Sequence, residues 1–315
     1  MTGPYVTILQ NRWMPDPAVT TYHTEKDFSG RMRLLRWLGR QTWIARGHNR
    51  LLTAVMKPEL APDFPFEVDF FGQRYRGNLA DYIDWMVFTY GAYAMPELTL
   101  LRDLVKLLRR QRKVPISFFD VGANSGHHTL FMSALVEEVI AFEPFPGFLE
   151  GIVQKVILNK LDNVSIMPVA LGNKDEMRNY YLDFRNINAG MGTFLPDPEK
   201  DGPPFARLLI RKGDDFFAEN GFPRIDILKV DVEGFEPLVF EGLRQRLEQD
   251  RPIILTELGP EAHELFGSEQ AFRSAFYPKA RFVAVQGRNG CHYTLTPLRY
   301  ETSCEVLIIP PELLA

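Results

Sequence analysis

Cysteine is nearly absent: the 315 residues hold two, Cys291 and Cys304. Two cysteines cannot build a disulfide framework, and this pair lacks metal-ligand spacing. The chain therefore reads as one made for a reducing compartment, with the cytoplasm as the expected location. An excess of basic charge is also missing. Lys and Arg number 36 against 40 Asp and Glu, for a net charge of -4, which removes the bulk attraction that nucleic-acid binding draws on. No run of roughly 18 uncharged apolar residues occurs, so no membrane span is expected. Residues 1–10 lack a basic stretch followed by an apolar one, so no leader is expected there. No internal repeat is visible. What is present is 45% hydrophobic and 24% charged, enough for a sizeable core in a soluble globular chain.

The pattern divides the chain in two, an N-terminal extension over 1–112 and an α/β domain over 113–315. Residues 1–62 are broken by Pro4, Pro15, Pro17, Pro58 and Pro62. Between these, 31–52 reads as one helix, with Leu34, Trp37 and Leu38 at i, i+3, i+4 and many arginines. Such a helix either meets an acidic membrane or partner, or packs on its own domain with solvated arginines. Residues 66–76 alternate around Gly72-Gln73 and predict a hairpin. An aromatic stretch follows, with Tyr82, Trp85, Tyr90 and Tyr93 as either core or a cation–π surface. Pro96 then opens a helix to about Arg112.

From Ile116 the pattern alternates between strands and helices, which implies parallel βαβ units and right-handed crossovers. Strands are predicted at 116–122, 138–143, 164–170, 225–230 and 253–257. Helices are predicted at 126–135, 147–160, 235–248 and 261–276. Two late apolar runs, 282–285 and 305–309, flank a Gly287–Gly290 turn, and the second is expected to return as an edge hairpin. The Gly- and Pro-rich segment 186–205 is long for a connection, which marks it as a candidate lid.

The first strand ends Asp120-Val121-Gly122-Ala123-Asn124-Ser125-Gly126. A dinucleotide fingerprint needs G-x-G-x-x-G and a pyrophosphate on a helix N-terminus. Here the pattern is D-x-G-x-x-x-G, and the Asp120 carboxylate would repel a pyrophosphate. It would suit a cation instead, such as the α-ammonium of S-adenosylmethionine. Glu143, followed by Pro144, lies roughly twenty residues beyond Gly122, where a carboxylate can accept both ribose hydroxyls. Ala170-Leu171-Gly172 suits an adenine face, or is a plain turn.

The fourth unit delivers Lys229, Asp231 and Glu233 within five residues at a strand's carboxyl end. Buried charge there is costly unless it is paired or used. Asp231 could steer a substrate hydroxyl or hold a ligand ammonium. The fifth strand delivers Glu257. Asp231 and Glu257 together could share a proton for base work or bind a divalent ion, but no third oxygen ligand is evident, so a metal is not favoured. His263 is a candidate general base. His127 and His128 read as packing residues at a helix start.

These motifs, with Ala141-Phe142-Glu143-Pro144 and Lys229-Val230-Asp231-Val232-Glu233-Gly234-Phe235-Glu236, resemble the FkbM family of S-adenosylmethionine-dependent methyltransferases. The resemblance covers about 66–260. It implies a Rossmann-like class I methyltransferase fold: a mostly parallel seven-stranded sheet with helices on both faces, here carrying an N-terminal helical and hairpin extension. It also implies methyl transfer, commonly to a hydroxyl of a small molecule, natural product or sugar. On the family's pattern, Asp120, Gly122, Asn124, Gly126 and Glu143 would contact cofactor, and Asp231 and Glu233 would be active-site acids. The segment from Gly77 to Tyr93 resembles the part that covers the cofactor, although Gly91-Ala92-Tyr93-Ala94 departs from the usual Gly-x-Tyr-Glu and Glu97 is displaced. The expected partner is a small-molecule or glycan acceptor, with a homo-oligomer left open. Alternatives are N-methylation of an amine or peptide, an NAD-linked oxidoreductase, and an idle scaffold binding through the arginine-rich helix.

Overall fold

Phe118 and Phe119 show how the sheet is built. Consecutive strand residues point to opposite faces, and here both faces are covered, so both rings are fully buried. Phe118 belongs to one apolar core and Phe119 to another. The computed structural model describes residues 20–41, 48–112, 114–182, 192–196, 202–287 and 291–314. Residues 1–10, read as lacking a leader, and the turn residues 288–290 lie outside the described residues. So do 183–191 and 197–201, which include most of the candidate lid.

The chain begins with α1 (Gly30–Gly39) and α2 (His48–Val55), then the hairpin β1 (Pro65–Phe70) and β2 (Gln73–Asn78). Helices α3 (Tyr82–Tyr90) and α4 (Met95–Gln111) follow. The α/β part runs β3 (Ser117–Val121), α5 (His127–Ser133), β4 (Glu138–Phe142), α6 (Pro146–Asn159) and β5 (Val164–Met167). Next come β6 (Ala170–Gly172), β7 (Glu176–Leu182), β8 (Gly192–Thr193), β9 (Ala206–Lys212) and α7 (Gly213–Asn220). The chain closes with β10 (Ile227–Val230), α8 (Glu236–Gly242), α9 (Arg244–Asp250), β11 (Ile253–Leu258), α10 (Pro260–Phe266), α11 (Glu269–Ser274), β12 (Arg281–Gly287), β13 (Tyr293–Pro297) and β14 (Cys304–Ile309).

The main sheet has the order β13-β12-β14-β11-β10-β3-β4-β5. Neighbours from β11 through β10, β3 and β4 to β5 are parallel, and the pairs β11–β14, β14–β12 and β12–β13 are antiparallel. This is the expected Rossmann-like α/β fold, with eight strands rather than seven. The extra one is β13, at the edge. One face packs on α4, α5, α6 and the N-terminal elements, and the other on α7 to α11.

Four expectations are corrected. The helix expected over 31–52 ends at Gly39, where it lies so close to α3 that a Cβ would overlap the Thr89 carbonyl oxygen. The chain restarts as α2, whose His48 Nε2 lies 2.8 Å from the Leu38 carbonyl oxygen. The strand expected over 164–170 stops at Met167. Pro168, which has no N–H for a ladder, precedes β6, which joins a separate sheet of order β6-β9-β7-β8. The predicted helices 235–248 and 261–276 each break, at Leu243 and at Gly267, whose φ is +71°. Finally, β14 is not an edge strand. It lies between β11 and β12, and Val306, Leu307 and Ile308 are fully buried, since both its faces are covered.

A strand inserted so deeply has no solvent to relax into. Leu307→Ala is expected to cost about 3 kcal/mol, read as a lower urea midpoint with an unchanged m-value. A cost near zero would mean that β14 is not buried on both faces.

Candidate active site

The cavity lies beyond the carboxyl ends of β3, β4 and β10, where parallel sheets present ligands. It encloses about 920 Å3 counting its open mouth. Its floor is the turn after β3. Gly122, Asn124 and Gly126 all have positive φ, at 79°, 52° and 81°. Glycine is required at 122, because a Cβ would run into the Asp231 carbonyl oxygen. The Gly122 and Ala123 N–H groups both donate to the Phe142 carbonyl at 3.0 Å, which pins the turn to the tip of β4.

Glu143 completes that pin from the other side. Its carboxylate accepts the Asn124 N–H and the Phe145 N–H, each at 2.9 Å. The residue is 4% exposed and lines the cavity. Burial pushes its carboxyl up to about 7, against the pull of those two N–H groups.

Lys229 is the buried charge at the centre. It stands directly opposite Asp120 in the β10–β3 register. Its Nζ lies 3.0 Å from Asp231 Oδ2 and 3.8 Å from Asp120 Oδ1. Burial alone would lower the Lys229 pKa, but Asp231 and Asp120 hold it above the usual lysine range. Burial pushes Asp231 up, yet the Lys229 ammonium outweighs this and leaves it below the usual carboxylate range. Asp120 stays raised, because burial exceeds the help from Lys229 and from the Thr129 hydroxyl, which donates at 2.7 Å.

Acids outnumber that one ammonium. Burial pushes Glu97 up to about 7, with Lys229 opposing and Asp231 adding. Burial and the neighbouring Asp231 and Glu257 push Glu233 up to about 8. Burial also pushes Glu236 up to about 8, although it accepts the Val232 N–H at 2.9 Å. Burial raises Glu257, and raises Glu305 far more, with Glu97 and Asp231 adding in the second case. Among the described residues, no group of three or more His, Cys, Asp or Glu is arranged to hold a metal ion.

Gly122, Asn124, Glu143, Pro144, Ala170, Asp231, Glu233 and Tyr93 all line the cavity. Asp120, Gly126, Glu257 and His263 do not. Asp120 has no exposed surface, so a direct grip on a ligand ammonium is not open to it. Of the two carboxylates beside Lys229, Asp231 is the one that reaches the cavity. Gly126 instead packs against Ile152 of α6. Glu257 lies in register with Glu305 on β14. His263 turns away, with its Nε2 on the Tyr300 carbonyl oxygen. Of the aromatic stretch only Tyr93 reaches the cavity; Trp85 is 3% exposed and packs edge-on to Tyr90. Within the candidate lid segment, Gly192 and Phe194 line the cavity, and the Thr193 hydroxyl donates to the Glu233 carbonyl at 3.0 Å.

Sequence reasoning set aside two residues that the fold brings in. His127 and His128 are 4% and 3% exposed and both line the cavity. Among the described residues, neither ring nitrogen of His127 has a hydrogen-bond partner. His128 Nε2 lies 3.4 Å from Glu97 Oε2, so the displaced Glu97 does approach the site. Burial, then neighbouring positive charge, holds both imidazoles well below the usual histidine pKa, so both are neutral near pH 7. The available signal was their position directly after a turn that closes a ligand site.

Residues 120–277 match the family described as the methyltransferase FkbM domain. A curated relative, Methyltransferase 1 of Beauveria bassiana (strain ARSEF 2860), is 27% identical over 143 residues, which cover 39% of this chain and 57% of that protein. Methyltransferase FkbM from Methylobacillus flagellatus KT is similar at 16% identity and a TM-score of 0.40, covering 66% of this chain and 48% of that one. A SAM-dependent methyltransferase from Agrobacterium tumefaciens is similar at 12% identity and a TM-score of 0.43, covering 80% and 71%. The chain thus spans about half the length of the Beauveria and Methylobacillus relatives.

The raised carboxyls fix a sign for stability against pH. The native state holds their protons more tightly than the unfolded chain, so stability falls as pH rises between the unfolded value and about 8. The depressed histidines act the other way, but only below their unfolded pKa near 6.5. Asp231 contributes only at acid pH, and Lys229 only above the usual lysine range. The melting temperature is therefore expected to fall from about pH 6.5 to about pH 9, with a shallower slope in Glu236→Gln. A melting temperature that climbs over this interval would contradict the burial of these groups.

Proposed function

The chain belongs to the FkbM methyltransferase domain family, and from that premise we propose that it moves a methyl group from S-adenosylmethionine to a hydroxyl of a small molecule, natural product or sugar. The observation that carries this reading is Glu143. A buried carboxylate, held by two backbone N–H groups and facing a cavity beside a glycine turn, is built to accept hydroxyls from a ribose. The rest of the lining fits the same group. Ala170, Leu171 and Phe148 offer an apolar wall for a nucleobase. Asp231 offers an anion towards a charged tail, with Lys229 behind it and Asp120 one layer further in. The D-x-G-x-x-x-G turn and the family match leave no support for the NAD-linked alternative.

When bound, S-adenosylmethionine would supply the electrophilic methyl carbon. The chain's part is to position, to exclude water and to manage a proton. Tyr93, His127 and Phe194 wall the cavity and keep solvent out. The proton leaving the acceptor hydroxyl needs a neutral base. His128 is neutral, lines the cavity and has its Nε2 3.4 Å from Glu97 Oε2, and it takes the role first sought in His263. Asp231 is less available for this role, because its carboxylate is taken up by the Lys229 ammonium at 3.0 Å.

A second reading has an observation of its own. Glu97, Asp231, Glu233 and Glu305 gather around a single ammonium, Lys229. Burial pushes Glu97, Glu233 and Glu305 towards their neutral forms, and an acceptor that carries a positive charge would draw them into their charged forms, which favours methylation of an amine. Product analysis by mass spectrometry and NMR decides between N-methyl and O-methyl.

Calorimetry with S-adenosylhomocysteine tests the cofactor. Binding is expected for the native chain, and Glu143→Gln should weaken it by about tenfold or more, since a charge-assisted pair of hydrogen bonds is lost. Absent binding by the native chain would remove the proposal. The base is tested separately. His128→Asn should lower kcat on the order of 100-fold with little change in cofactor affinity, whereas His263→Asn should stay within about twofold. The reverse ranking would return the base to His263.

A further inference from the structure

We propose that the face formed by α1 and α2 docks on an anionic lipid bilayer. Between Asp27 and Glu59 the chain has seven basic residues and no acid, on a protein whose net charge is -4. One of the seven is structural. Arg36 is buried, donates to the Phe88 carbonyl at 3.0 Å and pairs with Glu25 at 2.8 Å. The others described in this stretch are exposed. Arg31 and Arg33 donate only to backbone carbonyls, of Val55 and Lys26. Neither they nor Arg40 and Arg50 form an ion pair among the described residues.

Apolar side chains sit among these charges. Met32, Leu35, Arg36 and Gly39 form the buried side of α1. At 100° per residue, the opposite side centres on Leu34 and Trp37, with Arg31 on one flank and Arg33 and Arg40 on the other. Leu34 is 46% exposed and Trp37 55%. Packed against α1, helix α2 adds exposed Leu51 and Arg50.

The combination selects the partner. A nucleic acid would take the arginines but leave an indole and two leucines without a complement. A second copy of the chain meeting this face about a two-fold axis would bring arginine against arginine. An anionic bilayer satisfies both at once, because Trp and Leu reach the acyl boundary while guanidinium groups stay at the phosphates. The inference does not depend on the reaction proposed above, since no residue of this face lines the cavity.

The test is flotation of the full chain with vesicles of phosphatidylcholine alone, or of phosphatidylcholine with phosphatidylglycerol. Binding is expected only with phosphatidylglycerol and should be lost at high salt. Each arginine removed should weaken it about fivefold, so Arg33→Glu with Arg40→Glu should abolish flotation. Trp37→Ser should weaken binding with every charge kept. These positions are exposed, so melting temperature and S-adenosylhomocysteine binding should not change. The proposal is overturned if the chain ignores anionic vesicles, if the arginine variants float as well as the native chain, or if Trp37→Ser has no effect. A duplex oligonucleotide bound more tightly than vesicles, or a dimer that dissociates in the arginine variants, would also overturn it.

Discussion

A single ammonium, that of Lys229, sits inside the sheet between two carboxylates, and the active-site end of the molecule is arranged around it. An unpaired charge at that depth would cost several kcal/mol. Asp120 and Asp231 remove this penalty from two directions, one across the strand pair and one at its tip. Because Lys229 and Asp120 are in register, the pairing fixes how β10 lies against β3. That register brings the Asp231 backbone onto Gly122, where only glycine fits. The glycine, in turn, sets the turn that holds Glu143. One buried pairing therefore determines where the cavity walls stand.

This arrangement separates position from role. Asp120 was legible as an acid at the tip of the first strand, and it is there. What spacing could not show is that Lys229 from the neighbouring strand already occupies its cationic side. The side chain that would meet a ligand is Asp231, two residues beyond the lysine. The place of Glu143 was legible because its environment is local: a strand tip, a proline, and a turn that returns to it. That His127 and His128 also line the cavity was not legible, because their environment is not local. Nothing near them in sequence shows that α4 brings Glu97 against one ring, or that Tyr93 packs 5.3 Å from the other.

The fold shows the same division. The parallel strands and most helices follow from periodicity, because each is decided by its own alternation between buried and exposed residues. The errors fall where a contact from elsewhere decides. The helix through Gly39 ends where it meets Thr89 of α3. Pro168 ends a strand and releases β6 into a second sheet. β14 enters the sheet interior by pairing with both β11 and β12, and its Val306-Leu307-Ile308 core suits a central strand as well as an edge.

Net charge proved a poor guide to where charge acts. A value of -4 excludes bulk attraction to polyanions, but it averages two opposed regions. One is an acid-rich cleft whose carboxyls are pushed up by burial. The other is an acid-free pair of helices whose exposed arginines form no ion pair among the described residues. The two are joined through α3. Its Ile83 lines the cavity, while its Phe88 carbonyl and Thr89 backbone receive Arg36 and Gly39 of α1. Anchors at adjacent residues of α3 and about one turn apart on α1 leave little freedom for α1 to turn. The basic face is therefore held in a fixed attitude to the cavity, and a surface that seats one also orients the mouth of the other.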